Sequence, residues 1–233
     1  MTAHDLTGRR IVVGGGTGDV GVEIVAALLA AGADVLVPVR NLAKAAALGA
    51  HERLSVIEAF PEDDAGVTAL REKLTTAGRL DGAVAALGPW FHGPALTHLP
   101  KTDWDAMVAA SLTSHFLFAR SVVPVLAGGG QYILVNGGAA LAPVPHSGVV
   151  SILARAQTML AEVLAAEHQT VQIHTLMLLS IIATRARHDP DPDWVTAQQV
   201  GQKCAWLFET RAQETAHAAG TVRQTTLSAG DRT

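Results

Sequence analysis

The chain is poor in several residues that small proteins often depend on. Cys204 is the only cysteine, so no intramolecular disulfide is available, and neither Cys-x-x-Cys nor His-Glu-x-x-His occurs, which removes the strong zinc signatures. No metal is expected. Aromatic residues make up 4% of 233 residues while hydrophobic ones reach 49%, so the interior must be packed mainly from Ala, Val, Leu and Ile. An excess of positive charge is missing too. With Lys+Arg 17 against Asp+Glu 21 the net charge is -4, which leaves no field to hold a phosphate backbone or an anionic membrane. The longest apolar run, Leu176 to Ala183, includes Ser180 and falls far short of the roughly 20 residues of a membrane span. The polar start, Met1 to Arg10, lacks the apolar core of a signal peptide. A cytoplasmic protein that binds neither nucleic acid nor membrane is expected.

Short aliphatic runs recur instead, at Ile11 to Val13, Val35 to Val39, Leu54 to Ile57, Ala83 to Ala86, Tyr132 to Val135, Val171 to Leu178 and Thr221 to Leu227. Between them lie stretches of helical period: Val20 to Ala31, Leu42 to Leu48, Gly66 to Thr76, Trp104 to Leu126, Ser147 to His168 and Ala197 to Glu209. Regular alternation of strand and helix predicts an α/β fold, a Rossmann-type doubly wound parallel sheet of seven strands with helices on both faces. No linker or repeat interrupts it, so residues 1–233 read as a single domain. Arg185 to Asp193, with two prolines and three acids, reads as a surface loop.

The first strand runs into Gly14-Gly15-Gly16-Thr17-Gly18-Asp19-Val20-Gly21, and an amphipathic helix follows. Gly16-x-Gly18-x-x-Gly21 supplies the tight turn, close backbone approach and helix-sheet contact of a dinucleotide site, with pyrophosphate at the helix N-terminus. Gly14, Gly16, Thr17, Gly18, Asp19 and Val20 are the candidate contacts, with Asp19 expected to turn back and cap the helix. Arg40-Asn41 follows the second strand, where an NAD enzyme would place an acid. Arg40 suits a 2′-phosphate and hence NADP(H), against the plainer reading of a solvated arginine beside a helix-capping Asn41.

Here the chain resembles the short-chain dehydrogenase/reductase family nearly end to end. Gly15, Gly18 and Gly21 match the family's Gly-x-x-Gly-x-x-Gly form, and Gly93-Pro94-Ala95-Leu96 with Trp104-Asp105-Ala106-Met107 resembles the entry to its long fourth helix. Leu164-Ala165-Ala166-Glu167 is similar to the end of its fifth helix, and Gly220-Thr221-Val222 to its last strand. The resemblance implies NAD(P)-dependent hydride transfer by a tyrosine, a lysine four residues on, a serine and a helix-four asparagine. Anchored on Leu164-Ala165-Ala166-Glu167, those positions hold Val150, Ala154, Gly137 or Gly138, and Ser111. A shift of one residue pairs Ser151 with Arg155, and no register yields Tyr-x-x-x-Lys. Tyr132, the only tyrosine, is read as opening the fifth strand, far from the sheet edge where ligands bind. Cofactor-side matches are mixed. Ala85-Ala86-Leu87-Gly88 keeps only Gly88 of the family's loop, the adenine-contacting acid falls near Phe60, and Thr184 matches a carboxamide or phosphate contact.

Three readings stay open. In the first, the protein binds NADP(H) but lacks the hydride-transfer machinery, as a pseudoenzyme or sensor. In the second it is an enzyme repurposed to a cyclisation, dehydration or isomerisation of a hydrophobic small molecule, with His92, His146, Ser111 and His115 as candidate catalytic groups. In the third it is an NADPH-dependent oxidoreductase with a proton donor other than tyrosine. Trp90, Phe91, Gly138 and Val150 are the expected pocket residues. The resemblance also implies a homodimer or homotetramer through the helices over Trp104–Leu126 and Ser147–His168, with His115 facing a partner helix. The protein would then persist as a structural partner even without catalysis.

Overall fold

The computed structural model describes residues 4–184, 191, 193–213 and 221–231. Seven parallel strands form the main sheet: β1 (Arg10–Gly14), β2 (Asp34–Val39), β3 (Leu54–Glu58), β4 (Leu80–Ala85), β5 (Leu126–Gly137), β6 (Gln172–Leu178) and, last in the chain, β9 (Arg223–Leu227). Their spatial order is β3-β2-β1-β4-β5-β6-β9, which is the doubly wound arrangement. Two short strands, β7 (Ile182–Ala183) and β8 (Val195–Thr196), pair separately beyond the end of β6, a feature the periodicity did not reveal. The loop expected over Arg185 to Asp193 lies mostly outside the described residues.

Continuous aliphatic runs make these strands because both faces are covered. Ile11, Val12 and Val13 are all fully buried. Ile11 and Val13 join one layer with α1 (Asp19–Ala30) and α6 (Ala197–Gln213), while Val12 joins the other with α2 (Asp64–Thr76), α4 (Ser114–Val122) and α5 (Gly148–Glu167). Gly201 allows α6 to lie directly on α1, since a Cβ there would sit 2.4 Å from the Glu23 carbonyl oxygen. Asp63 starts α2 by accepting from the Gly66 amide at 2.8 Å.

Three elements depart from the sequence reading. Leu42–Leu48 is a 3-10 helix with no fully buried residue; Leu48 rests partly buried against the core, too little apolar contact for tertiary packing to hold an α-helix. The helix expected over Trp104–Leu126 begins earlier, as α3 (Lys101–Val108), widens into a π turn at Ala109–Thr113, resumes as α4 and closes in a 3-10 turn at Val123–Val125. β5 then starts at Leu126 rather than Tyr132. Gly128-Gly129-Gly130 resembles a loop in sequence, and β5 passes it through a shift in its pairing with β4 between Leu80 and Gly82.

Tyr132 therefore sits inside β5, fully buried in the layer beneath α4, its ring 6.4 Å from that of Phe118. Its hydroxyl has no hydrogen-bond partner, and burial pushes the phenol well above its ordinary range. An unpartnered buried hydroxyl costs about 1–3 kcal/mol. Tyr132→Phe should raise stability by about 1 kcal/mol, seen as a melting midpoint about 2–4 °C higher. A lowered midpoint would mean that the hydroxyl has a partner after all.

By length and composition, two helical segments could cross a membrane, Lys101–Val125 and Gly148–Glu167. Both are docked on the sheet: Phe118, Ala119 and Val122 of the first and Ala161, Leu164 and Ala165 of the second lie in its core. Their outer sides keep Phe116, Ile152, Met159 and Val163 exposed.

Candidate dinucleotide site and cleft

The carboxyl ends of β1 and β4 meet where the strand order turns, the point at which open α/β sheets bind ligands. The glycine loop is held there by the protein itself. The Ala86 amide donates to the Gly14 carbonyl at 3.0 Å, and Gly15 adopts φ +78° with its Cα so close to Ala86 that a Cβ would lie 2.1 Å from the Ala86 carbonyl oxygen. A Cβ on Gly21 would lie 1.9 Å from the Gly15 carbonyl oxygen. Gly14 is packed under the Phe118 ring and Gly16 against Val37 and Val25, so internal packing accounts for the missing side chains at all four.

Gly18 is different. It is exposed, has an ordinary extended backbone, and a Cβ there would meet only the Gly15 carbonyl oxygen at 3.3 Å. It is also the N-cap of α1, and no side chain caps the helix. Asp19 is the first residue of α1 and exposed, so the expected capping role is corrected: its backbone is already helical, one position past the cap. Thr17 and Val20 are half-buried on either side, Val20 against the core. The orphan amides of the first turn are thus available to an anion, with Asp19 the one acidic group in that turn.

Arg40 stands at the end of β2, its guanidinium 4.6 Å above the Phe60 ring and its Nε 2.9 Å from Glu62. Both charged side chains are exposed, so the pair contributes about 0–1 kcal/mol and yields readily to a phosphate. Asn41 accepts from the Ala43 amide at 2.8 Å and caps the 3-10 helix that follows. Sequence reasoning missed Glu62 and Phe60 as partners of Arg40. Only the pairing of β2 with β3, Val39 opposite Glu58, brings the two segments together.

After β4, Gly88 (φ +97°) lies against Ser111, whose Oγ a Cβ at Gly88 would approach to 2.8 Å. Ser111 is buried in the π turn, a local widening often found at functional sites. One helical turn on, His115 is fully buried with its Nε2 3.1 Å from the Leu87 carbonyl oxygen. Burial, opposed by that hydrogen bond, lowers its pKa to about 4, so the ring is neutral and Nε2–H donates. His115 therefore fastens the loop beside Gly88 instead of facing a partner helix, which corrects the expectation.

On α5, Ala154 packs with Ala139, Ala140 and Met177, and its carbonyl accepts from the Asn136 side chain at 2.8 Å. A methyl group fills that place. Asn136, missed in the sequence, joins the end of β5 to α5. Val150 and Phe91 are half-buried and pack into one cluster with Met107, Val149 and Leu153, while Trp90 stands 56% exposed beside them in the chain. Gly138 has Leu179 as a neighbour, and a side chain at Gly137 would meet nothing within 4 Å. In the shifted register, Ser151 is buried and accepts from the Val144 amide at 3.0 Å while Arg155 is exposed, so the two do not form a pair. Thr184 is half-buried just after β7. His92 and His146 are brought together from separate loops, with ring centroids 5.7 Å apart.

A glycine turn at the edge of a doubly wound parallel sheet defines a Rossmann-type protein. The family model described as enoyl-(acyl carrier protein) reductase matches residues 17–219, and the chain belongs to the short-chain dehydrogenase/reductase family. It is 35% identical over 146 residues to a curated "Probable oxidoreductase" of Streptomyces antibioticus, covering 59% of this chain and 48% of that one. A similar protein of Streptomyces lividans matches at 34% over 149 residues. The chain spans about half the length of the curated relatives it matches. Among solved structures, a dehydrogenase/reductase of Sinorhizobium meliloti superposes with a TM-score of 0.80 at 24% identity, over 98% of this chain and 97% of that one. A short chain dehydrogenase of Shigella flexneri complexed with NADP superposes with a TM-score of 0.79 at 17% identity, over 96% and 99%. These two likenesses concern the fold.

Proposed function

We propose that this single-domain chain binds NADP(H) at the glycine loop but lacks the tyrosine-lysine machinery of hydride transfer, and so acts as a cofactor-binding pseudoenzyme or sensor. Gly18 carries the reading: packing inside the protein explains why Gly14, Gly15, Gly16 and Gly21 have no side chain, whereas the bare surface at Gly18 fits a pyrophosphate laid across the uncapped start of α1. Gly18, Thr17 and the first-turn amides would hold the pyrophosphate and Arg40 the 2′-phosphate, with Asn41, Gly88 and Thr184 along the same edge. The group supplies a hydride when bound. Opposite, Val150, Ala154 and Gly138 offer no proton donor, and the phenol of Tyr132 is enclosed in the core. NADPH titrated against tryptophan fluorescence should saturate, and no NADPH should be consumed across a panel of ketones. A flat calorimetric trace up to millimolar NADPH would refute binding, and turnover would refute the pseudoenzyme.

The pairing of His92 with His146 favours a second reading, in which the cleft carries out a non-redox proton transfer on a hydrophobic small molecule. Trp90, Leu141, Leu179 and Ile181, all exposed in the loops after β4, β5 and β6, supply an apolar rim for it. In either case the exposed Phe116, Ile152, Met159 and Val163 suit a homodimer or homotetramer built on α4 and α5, and a strictly monomeric mass by light scattering would remove that part.

A further inference from the structure

His92 follows β4 and His146 adjoins Ser147, the N-cap of α5, more than fifty residues later, yet the two rings lie 5.7 Å apart, tilted by 45°, and both residues are exposed. The backbone fixes this approach. The amide of Gly93 donates to the carbonyl of His146 at 2.8 Å, tying one loop to the other beside the rings. Among the described residues His146 alone, glycines aside, has a positive φ, +63°. That conformation is uncommon for a side-chain-bearing residue, and it sets the direction in which the imidazole leaves the loop.

We propose that His92 and His146 are the two protein ligands of a divalent transition-metal site at the mouth of the cleft. Two imidazoles on one tetrahedral zinc, each with a Zn–N distance of about 2.0–2.1 Å, place their ring centroids about 5 Å apart, so a small rotation of either side chain closes the observed separation. Imidazole nitrogen suits Zn2+, Cu2+ and Ni2+, whereas Mg2+ and Ca2+ require oxygen ligands. Among the described residues no group of three His, Cys, Asp or Glu forms, so this is not a closed structural centre. The remaining coordination positions belong to water or to an oxygen or nitrogen of a small molecule in the cleft. Such a site does not depend on the dinucleotide, and the two are tested separately.

The test uses the untagged full chain. Calorimetric titration with ZnCl2 should show one ion per chain, and Cu2+ bound at the same stoichiometry should give an electron paramagnetic resonance spectrum with nitrogen hyperfine structure. His92→Ala and His146→Asn should each weaken Zn2+ binding at least tenfold with unchanged melting midpoints; asparagine is chosen because it accepts the left-handed backbone. His98→Ala, removing another exposed histidine of the same loop, should leave binding as it was, and excess Mg2+ should not compete. Failure of the wild-type chain to take up one ion, wild-type affinity retained in either pair variant, or loss of binding in His98→Ala would overturn the assignment.

Discussion

Gly18→Ala should lower the affinity for NADPH at least tenfold while leaving the melting midpoint within about 2 °C of the wild type. The added methyl meets only one protein atom, the Gly15 carbonyl oxygen at 3.3 Å. Two small stability terms oppose each other: alanine at an N-cap costs up to about 1 kcal/mol relative to glycine, and the loss of unfolded-state freedom returns about 0.4–1 kcal/mol. The methyl does, however, stand where a pyrophosphate would approach the open turn of α1. Gly21→Ala makes the contrast, since its Cβ would lie 1.9 Å from the Gly15 carbonyl oxygen and should damage folding and binding together. Equal NADPH affinity in Gly18→Ala and the wild type would remove the basis for a cofactor at this loop.

Acid should destabilise the fold through His115, whose ring is buried in its neutral form. Burial disfavours the imidazolium and pushes the folded pKa down to about 4 from the ordinary 6.5. Below the unfolded pKa the unfolded chain binds the proton that the folded chain refuses. Stability from this group is therefore complete above about pH 6.5 and is lost as pH falls towards 4, at up to about 1.4 kcal/mol per pH unit and about 3 kcal/mol in all. Denaturant unfolding from pH 7 to 4 reads this slope. His115→Gln keeps a donor near the Leu87 carbonyl without a titrating ring, and its curve should be flatter by one proton. An unchanged slope would mean that another group governs the acid response. Because Leu87 adjoins Gly88 and the loop from β4, ligand affinity at the glycine loop should fall over the same window.

Much of the architecture can be read without coordinates. Aliphatic runs such as Ile11 to Val13 and Leu176 to Leu178 declare strands buried on both sides, and the glycines after Val13 announce a turn into a helix. These signals are local, because side-chain spacing along a strand or helix repeats within a few residues. Nothing in the sequence marks the π turn at Ser111, since its apolar pattern is continuous with that of the flanking helices. The early start of β5 is equally unmarked, because three consecutive glycines carry no pattern at all. The identity of the residues at 150 and 154, and the position of Tyr132 far from the carboxyl edge, were likewise plain from the letters.

Partnership was another matter. Arg40 with Glu62, His115 with Leu87, Asn136 with Ala154 and His92 with His146 each join segments separated along the chain, and nothing in either segment names the other. Asp19 shows the same division at close range: its acidity is written in the chain, but whether it caps α1 depends on a helix start set one residue earlier by packing. Strand and helix follow from spacing that the chain carries everywhere. Which charges, rings and carbonyls meet at the sheet edge follows from register and loop closure, and those exist only once the sheet has assembled.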